Sequence, residues 1–503
     1  MSRSLLSRVF PSSTSADSSA SEYVPVENDG LLANTDEADT QRQNRFEEEE
    51  DEEDDTTLKK PFSWHDYTVF LLLGVAMLWA WNMFLAAAPY FHRRFQESQW
   101  AVEHYESSIL SVSTITNLLC VLVLAKLQQN ASYPLRIAAS LVILTVVFTF
   151  LAMSTVLFSA LPVGIHFVFI MTMVLGASFA TGMNQNGVFA FVSGFGRPEY
   201  TQAIMAGQGI AGVLPCIVQI MTNLSVSRKD EGHDDNHHGS GDSDGYYRSA
   251  LAYFSVAVLI TIIALLAFIW LMNRTAGSRW FMREIRVFRR VTSNTAPTAA
   301  TTTDTDSPSV LDKSVGLWKL FLRLKWLALA VYTCFAVTMV YPVFTSKITS
   351  VHYQDSITTA TTATTRSRVF EPEVFIPLAF LFWNLGDLVG RLSPIVPSLA
   401  RSASYPRAIF ALSLGRILFI PLYMACNIHG GGGEPAINSD FFYLFIIQLG
   451  FGLTNGFLGS VCMMGAGQYV TADEREVAGG FMSMMLVAGL ATGSLLSFFF
   501  SGM

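Results

Sequence analysis

Residues 249–272 read SALAYFSVAVLITIIALLAFIWLM, a run without a single charged side chain. A helix of about 20 apolar residues already spans the roughly 30 Å hydrocarbon core of a bilayer, and this run is longer. Directly after it come Arg274, Arg279, Arg283, Arg286, Arg289 and Arg290. An apolar run closed by a basic flank reads as a membrane span that ends on the cytosolic side, because cytosolic loops carry the excess of Lys and Arg.

The same search over the whole chain finds five such blocks before this one, at 66–91, 107–127, 135–158, 163–192 and 200–224, and five after it, at 325–346, 373–397, 406–427, 440–466 and 477–500. The fold expected is therefore an all-α polytopic membrane protein of about eleven transmembrane helices, arranged six plus five. Composition agrees: 51% of the 503 residues are hydrophobic and 14% are charged, where a soluble chain carries about a quarter charged. An even-numbered helix leads into the arginine-rich segment, which places the N-terminus in the cytosol and, with an odd count, the C-terminus on the extracytosolic or lumenal side. Lys59 and Lys60, Lys126 and Arg136, and Arg401 and Arg407 agree with that orientation, while Arg93 and Arg94 oppose it. Four regions follow: an acidic, disordered cytosolic tail at 1–61, a six-helix bundle at 62–272, a basic cytosolic linker at 273–324 and a five-helix bundle at 325–503.

The net charge of −8 belongs to the tail and loops and marks no partner. Two low-complexity loops, 225–248 and the Thr-rich 349–368, fall on the extracytosolic side, and their composition is that of flexible segments. Asn223 with Ser225 forms a glycosylation sequon there, close to the membrane. Within the basic segment, 293–314 reads as a disordered linker, and 280–291 as either an amphipathic helix on the anionic leaflet or a stop-transfer flank.

Ionisable groups at membrane depth cost at least about 2.5 kcal/mol each, so those present are candidates for function. The eighth block contains FLFWNLGDLVGR, residues 380–391. Asp387 and Arg391 stand four apart and share a helix face with Asn384 and Phe380. That stripe offers an aromatic ring, an amide, an acid and a base, which suits a polar solute with several donors and acceptors. An intrahelical ion pair that pins a neighbouring helix is the other reading, and Gly386 and Gly390 are spaced for such close approach. In the first block, Leu78-Trp79-Ala80-Trp81-Asn82 places an indole and an amide near mid-membrane, for stacking on an aromatic solute or for packing. The fourth block brings Thr181, Gly182, Asn184, Gln185 and Asn186, amides expected to face a wet cavity. Gly207-Gln208-Gly209, Gly212, Gly489 and Gly493 permit close helix packing or sliding, and Pro215 and Pro342 are expected to kink their helices.

No phosphate-binding loop, metal-ligand spacing or nucleophile elbow is present in the sequence, which argues against ATP coupling and against an enzyme, and no cofactor or nucleic-acid partner is expected. The five cysteines all lie in apolar blocks and suggest no disulfide framework. His233, Asp234, Asp235, His237 and His238 form either a metal-chelating tract or a solvated loop.

Taken together, Trp81-Asn82, Gly207-Gln208-Gly209, FWNLGDLVGR, LTNGFLGSVCMM at 453–464 and AGGFMSMMLVAGLATGSLLSF at 478–498 resemble the signatures of the equilibrative nucleoside transporters. The resemblance runs from Phe62 to the end, and the short loop after the first block fits a fungal or protist member. It implies a six plus five bundle related to the major facilitator fold, with alternating access around a central nucleoside site. By the same resemblance, Leu78, Trp81 and Leu85 line a nucleobase pocket, Asp387 and Arg391 bind the ribose hydroxyls beside Asn384 and Phe380, and Tyr341 and Leu486 complete the pocket. Asn82, Gly182, Gly207, Gly212, Pro342 and Gly489 take structural or gating roles. Where the family has a base-reading glutamine followed by glycine, this chain has Asn186, with Gln185 adjacent.

The tail carries Glu27-Asn28-Asp29-Gly30-Leu31-Leu32, an acidic dileucine pattern of the kind read by sorting adaptors. It favours a vacuolar or lysosomal membrane over the plasma membrane. Three activities are compatible with the residues: a nucleoside transporter, facilitative or proton-driven; a carrier of another polar solute such as a nucleobase or sugar; and a membrane receptor. A carboxylate held by a neighbouring guanidinium argues against Asp387 as a proton carrier.

Overall fold

The computed structural model describes residues 62–127, 131–157, 161–225, 241–276, 316–353, 368–428 and 436–501. The acidic tail with Glu27, Leu31 and Leu32, the His/Asp tract, the linker at 293–314 and the amphipathic stretch at 280–291 lie outside the described residues.

Among the described residues, eleven helices are long and apolar enough to cross a membrane. They are α1 (Trp64–Ala86), α2 (Gln99–Lys126), α3 (Tyr133–Leu157), α4 (Val163–Ser193), α5 (Pro198–Ser225) and α6 (Gly241–Ala276). After the basic segment come α7 (Leu317–Thr338), α8 (Pro372–Leu392), α9 (Pro406–Gly415, prolonged by Arg416–Leu418 and Phe419–Met424), α10 (Leu449–Gly465) and α11 (Arg475–Ser501). Each falls on one of the eleven apolar blocks.

The differences lie at helix ends and at prolines. The first block breaks after Ala86, and a short helix, Ala88–Phe95, starts with Pro89 in its first turn, because a proline has no N–H to continue the ladder. Pro342 divides the seventh block, so that α7 stops at Thr338 and a short helix, Tyr341–Thr345, follows. In a regular helix the ring of Pro421 would crowd the carbonyl of Ile417, and in α9 the backbone tightens there into the 3-10 turn Arg416–Leu418. α10 is entered through a π-helical segment, Phe442–Gln448. α6 begins at Gly241, so the last part of the loop expected at 225–248 is helical. Thr349 to Tyr353, the start of the Thr-rich loop, are also anchored. Thr349 exchanges backbone and side-chain bonds with Asn427, and Ser350 Oγ donates to Asp440 Oδ2 at 2.5 Å.

Exposed and buried faces divide as lipid requires. Val142, Val146, Phe150, Met153 and Leu157 make one outward stripe on α3, and Leu259, Ile263, Leu266 and Trp270 make another on α6, each at the three- and four-residue spacing of a helix face. Inward, Phe84, Phe91, Phe148 and Phe254 fill the core among helices of the N-terminal part, and Tyr341, Phe344, Tyr423 and Phe451 fill a second core in the C-terminal part.

One crossing matters for the site. On α8, Gly386 and Gly390 lie against the backbone of Leu449 and Leu453, while on α10, Gly452 and Gly456 lie against that of Trp383 and Asp387. A Cβ at Gly456 would stand 1.9 Å from the Asp387 carbonyl oxygen, so the two backbones touch only because four side chains are absent. This contact delivers Asp387 to α10.

Candidate functional site

Asp387 and Arg391 are both 4% exposed, and the pair closes with Arg391 Nε donating to Asp387 Oδ2 at 2.6 Å. Removing two charges from water costs several kcal/mol per ion, and further hydrogen bonds to both members of the pair offset part of that cost. The guanidinium NH1 of Arg391 donates to Gln208 Oε1 at 2.8 Å and to the Met205 carbonyl at 3.3 Å, both on α5. Gln208 in turn donates Nε2 to Met77 Sδ of α1 at 2.9 Å. The other carboxylate oxygen, Asp387 Oδ1, accepts from Asn455 Nδ2 of α10 at 2.7 Å.

Beyond Asn455 the network continues. Asn455 Oδ1 accepts from the Thr338 hydroxyl at 2.7 Å and from Arg416 NH1 at 3.1 Å. Arg416, 1% exposed, also donates to the Cys334 carbonyl at 2.7 Å and to the Phe451 carbonyl at 3.2 Å, and its guanidinium lies 4.2 Å from the Phe451 ring centroid. Five helices thus converge on one buried carboxylate and two buried guanidiniums. The site reading of the sequence included Asp387 and Arg391; Gln208 entered only within its glycine motif, and Asn455 only within LTNGFLGSVCMM. Arg416 it passed over, since a lone arginine in an apolar block has no local partner to announce it. The available signal was its presence at membrane depth.

The stripe of α8 divides among neighbours. Asn384 donates Nδ2 to the Phe380 carbonyl at 2.9 Å and to Cys216 Sγ at 3.4 Å, and its Oδ1 fills the space over Gly212, where a Cβ would stand 2.3 Å away. Phe380 meets the Tyr341 ring edge-on at 5.9 Å. Trp383, which the sequence reading did not single out, stacks on Tyr341 with centroids 4.4 Å apart and planes 16° apart. Its indole Nε1 is buried without a hydrogen-bond partner among the described residues, as is that of Trp79 on α1.

On α1, Leu78 and Trp81 pack against the aromatic core that includes Trp79, Met83 and Phe84. Asn82 serves a backbone need. Pro215 has no N–H for the Ala211 carbonyl one turn earlier, and Asn82 Nδ2 donates to that oxygen at 2.6 Å. Gly207 lies against the Leu71 carbonyl, Gly182 against Asn117 and Cys120, and Gly489 against the Tyr332 carbonyl. Pro342 opens the short helix that carries Tyr341, and Leu486 is buried in α11. The backbone of Leu85 lies in the last turn of α1; its side chain lies outside the described residues.

The fourth helix carries its amides in buried positions. Asn186 is fully buried and accepts from Arg136 NH1 of α3 at 2.9 Å, and Arg136 also donates to the Leu127 carbonyl at 2.7 Å. The Asp387 cluster receives its amides from Gln208 and Asn455, while Gln185 stays buried on α4. Among the described residues no group of three or more His, Cys, Asp or Glu could hold a metal ion.

Comparison with known proteins gives a consistent result. The chain matches the family described as Nucleoside transporter over residues 170–502. It is 31% identical to Nucleoside transporter FUN26 of Saccharomyces cerevisiae, over 88% of this chain and 85% of that protein. It is 25% identical to Equilibrative nucleoside transporter 1 of Homo sapiens, over 86% of this chain and 96% of the relative. Among solved structures it aligns with a Major Facilitator Superfamily transporter, FucP, in the outward conformation, at a TM-score of 0.46 and 12% identity, covering 86% of this chain and 96% of that one. The family match spans more than half of the chain, and the yeast relative is aligned over most of both sequences. This multi-pass membrane protein therefore belongs to the nucleoside transporter family.

Proposed function

We propose that the protein carries nucleosides across a membrane by alternating access, with Asp387 and Arg391 binding the ribose hydroxyls. The observation that carries this reading is the buried pair itself. Arg391 is shared between Asp387 on its own helix and Gln208 and Met205 on α5, so its bonds to α5 can be exchanged for bonds to a solute. Asp387 is an acceptor on α8, and each of its oxygens, which accepts one bond among the described residues, has one acceptor site beyond it. Diol hydroxyls donate to such a carboxylate and accept from such a guanidinium.

Aromatic surface completes the reading. Leu78, Trp81, Leu85, Tyr341, Phe380 and Leu486 bound the nucleobase, Gln185 or Asn186 reads its edge, and the indole of Trp383 on Tyr341, whose N–H has no partner among the described residues, supports a base-facing aromatic wall. Asn384, Asn82, Gly182, Gly207, Gly212, Pro342 and Gly489 hold the helices at their crossings. α1 to α6 rock against α7 to α11 with the N-terminus in the cytosol and the C-terminus outside it, and transport is facilitative. The acidic dileucine at Glu27, Leu31 and Leu32 recruits a sorting adaptor and directs the protein to a vacuolar or lysosomal membrane.

Uptake of labelled adenosine and uridine into proteoliposomes tests the substrate class. Saturable uptake, competed by unlabelled nucleosides and not by free nucleobases or ribose at the same concentration, is expected. Equal competition by ribose-lacking bases contradicts the reading and favours a nucleobase carrier.

A further inference from the structure

Arg416 is the most buried charged side chain of the network, yet among the described residues its guanidinium meets only neutral acceptors: the Cys334 and Phe451 carbonyls, Cys334 Sγ, Thr338 Oγ1 and Asn455 Oδ1. A guanidinium buried in this way is costly, and structural stability alone is poorly served by it. One of these contacts bears directly on the site. The carboxamide of Asn455 could sit in either of two orientations, with oxygen and nitrogen exchanged. In the observed one, Oδ1 collects donors from Thr338, Arg416 and Cys334, and Nδ2 is aimed at Asp387. The exchanged orientation would set the amide oxygen against the Asp387 carboxylate and the NH2 group against the guanidinium, two repulsive contacts in a medium of low dielectric. Arg416 therefore holds Asn455 in the orientation that donates to Asp387.

The second observation concerns which helices take part. Arg391 is held by Gln208 and Met205, residues of α5, whereas Asp387 is held by α10, and through it by α7 and α9. All of the support for Asp387 lies in α7 to α10. It survives any movement of α5 away from α8, at the moment when Arg391 loses its α5 partners.

We infer that Arg416 is a positioning residue: acting through Asn455, it fixes the Asp387 carboxylate so that ribose hydroxyls meet a preset acceptor throughout the transport cycle. This rests on the proposed role of Asp387 in ribose recognition. Arg416 touches no substrate in this account, so its loss weakens discrimination for the hydroxyls rather than binding of the base.

The test is competition against labelled uridine uptake by uridine and by 2′,3′-dideoxyuridine, using the full chain in proteoliposomes. In the wild-type protein, uridine is expected to compete at a concentration at least tenfold lower than the dideoxy analogue. In Arg416→Gln the ratio should fall to within about threefold, and Arg416→Lys, which restores the charge, should recover part of it. A purely structural arginine would lower uptake while leaving the ratio intact, and that result overturns the inference. Should Arg416→Gln fail to give a monodisperse protein, Thr338→Val decides. It removes one donor from Asn455 Oδ1, and the ratio should fall about threefold; an unchanged ratio overturns the inference. Wild-type protein that transports uridine without discriminating against the analogue refutes the role of Asp387, and the positioning with it. Discrimination that persists in the variants refutes the positioning alone.

Discussion

Arg391 NH1 donates to Gln208 Oε1 at 2.8 Å, a bond that ties α8 to α5 through a group already paired with Asp387. A hydrogen bond to a charged group contributes about 1.5–3 kcal/mol, which suits a contact that must hold one conformation and be released in another. Gln208→Glu turns it into a second ion pair. Nucleoside uptake by the variant should slow at least fivefold, while its melting temperature changes with the balance between the new ion pair and the cost of burying its charge. Faster uptake, or an unchanged melting temperature with unchanged uptake, contradicts the assignment of this bond as a releasable tie.

The glycine crossing of α8 and α10 predicts a sharp contrast between substitutions of one kind. Gly456→Ala puts a methyl group 1.9 Å from the Asp387 carbonyl oxygen and forces the helices apart. Overpacking of this sort costs about 1–3 kcal/mol, and it also separates Asn455 from Asp387. Gly415→Ala, on α9, meets no atom within 4 Å and should be neutral or stabilising by about 0.5–1 kcal/mol. Melting temperatures of the two variants beside wild type check both. Equal tolerance at the two sites would contradict the crossing.

Asn82 and Pro215 are expected to be coupled. Asn82→Ala leaves the Ala211 carbonyl without its donor, at a cost of about 1–3 kcal/mol for a buried unsatisfied group. Pro215→Ala supplies the missing backbone N–H one turn later. In the Asn82→Ala background, Pro215→Ala should therefore recover most of the lost stability, a non-additive effect measurable by a double-mutant cycle. Strict additivity would mean that the 2.6 Å bond from Asn82 does not serve the proline gap.

The sorting signal gives a prediction about location. Leu31→Ala with Leu32→Ala, in the full chain carrying a fluorescent tag, should move the protein from the vacuolar or lysosomal membrane to the plasma membrane. An unchanged location assigns sorting to another segment.

Much of this architecture can be read from the chain because lipid imposes a simple rule. A span must be long and apolar, and each of the eleven blocks holds one helix. Boundaries were harder. α6 starts ahead of its apolar block, at Gly241 among polar residues, and α7 starts ahead of its own at Leu317, in a stretch that carries Lys319 and Arg323, since a helix already nucleated in the membrane continues outside it where nothing breaks it. Within the site, the pair Asp387–Arg391 was legible because its members are four residues apart on one helix. The contacts of Arg391 with Gln208, of Asp387 with Asn455 and of Asn455 with Arg416 join residues far apart in the chain. No local periodicity encodes them. The bond from Arg136 on α3 to Asn186 on α4 is of the same kind.

The central claim, that the buried acid and base of α8 bind the transported nucleoside, is tested most directly by uptake of labelled uridine and adenosine into proteoliposomes containing wild type, Asp387→Asn or Arg391→Ala, each first shown to be monodisperse. Saturable uptake by the wild type and less than a tenth of that rate for both variants are expected. Wild-type uptake that survives unchanged in Asp387→Asn would contradict it.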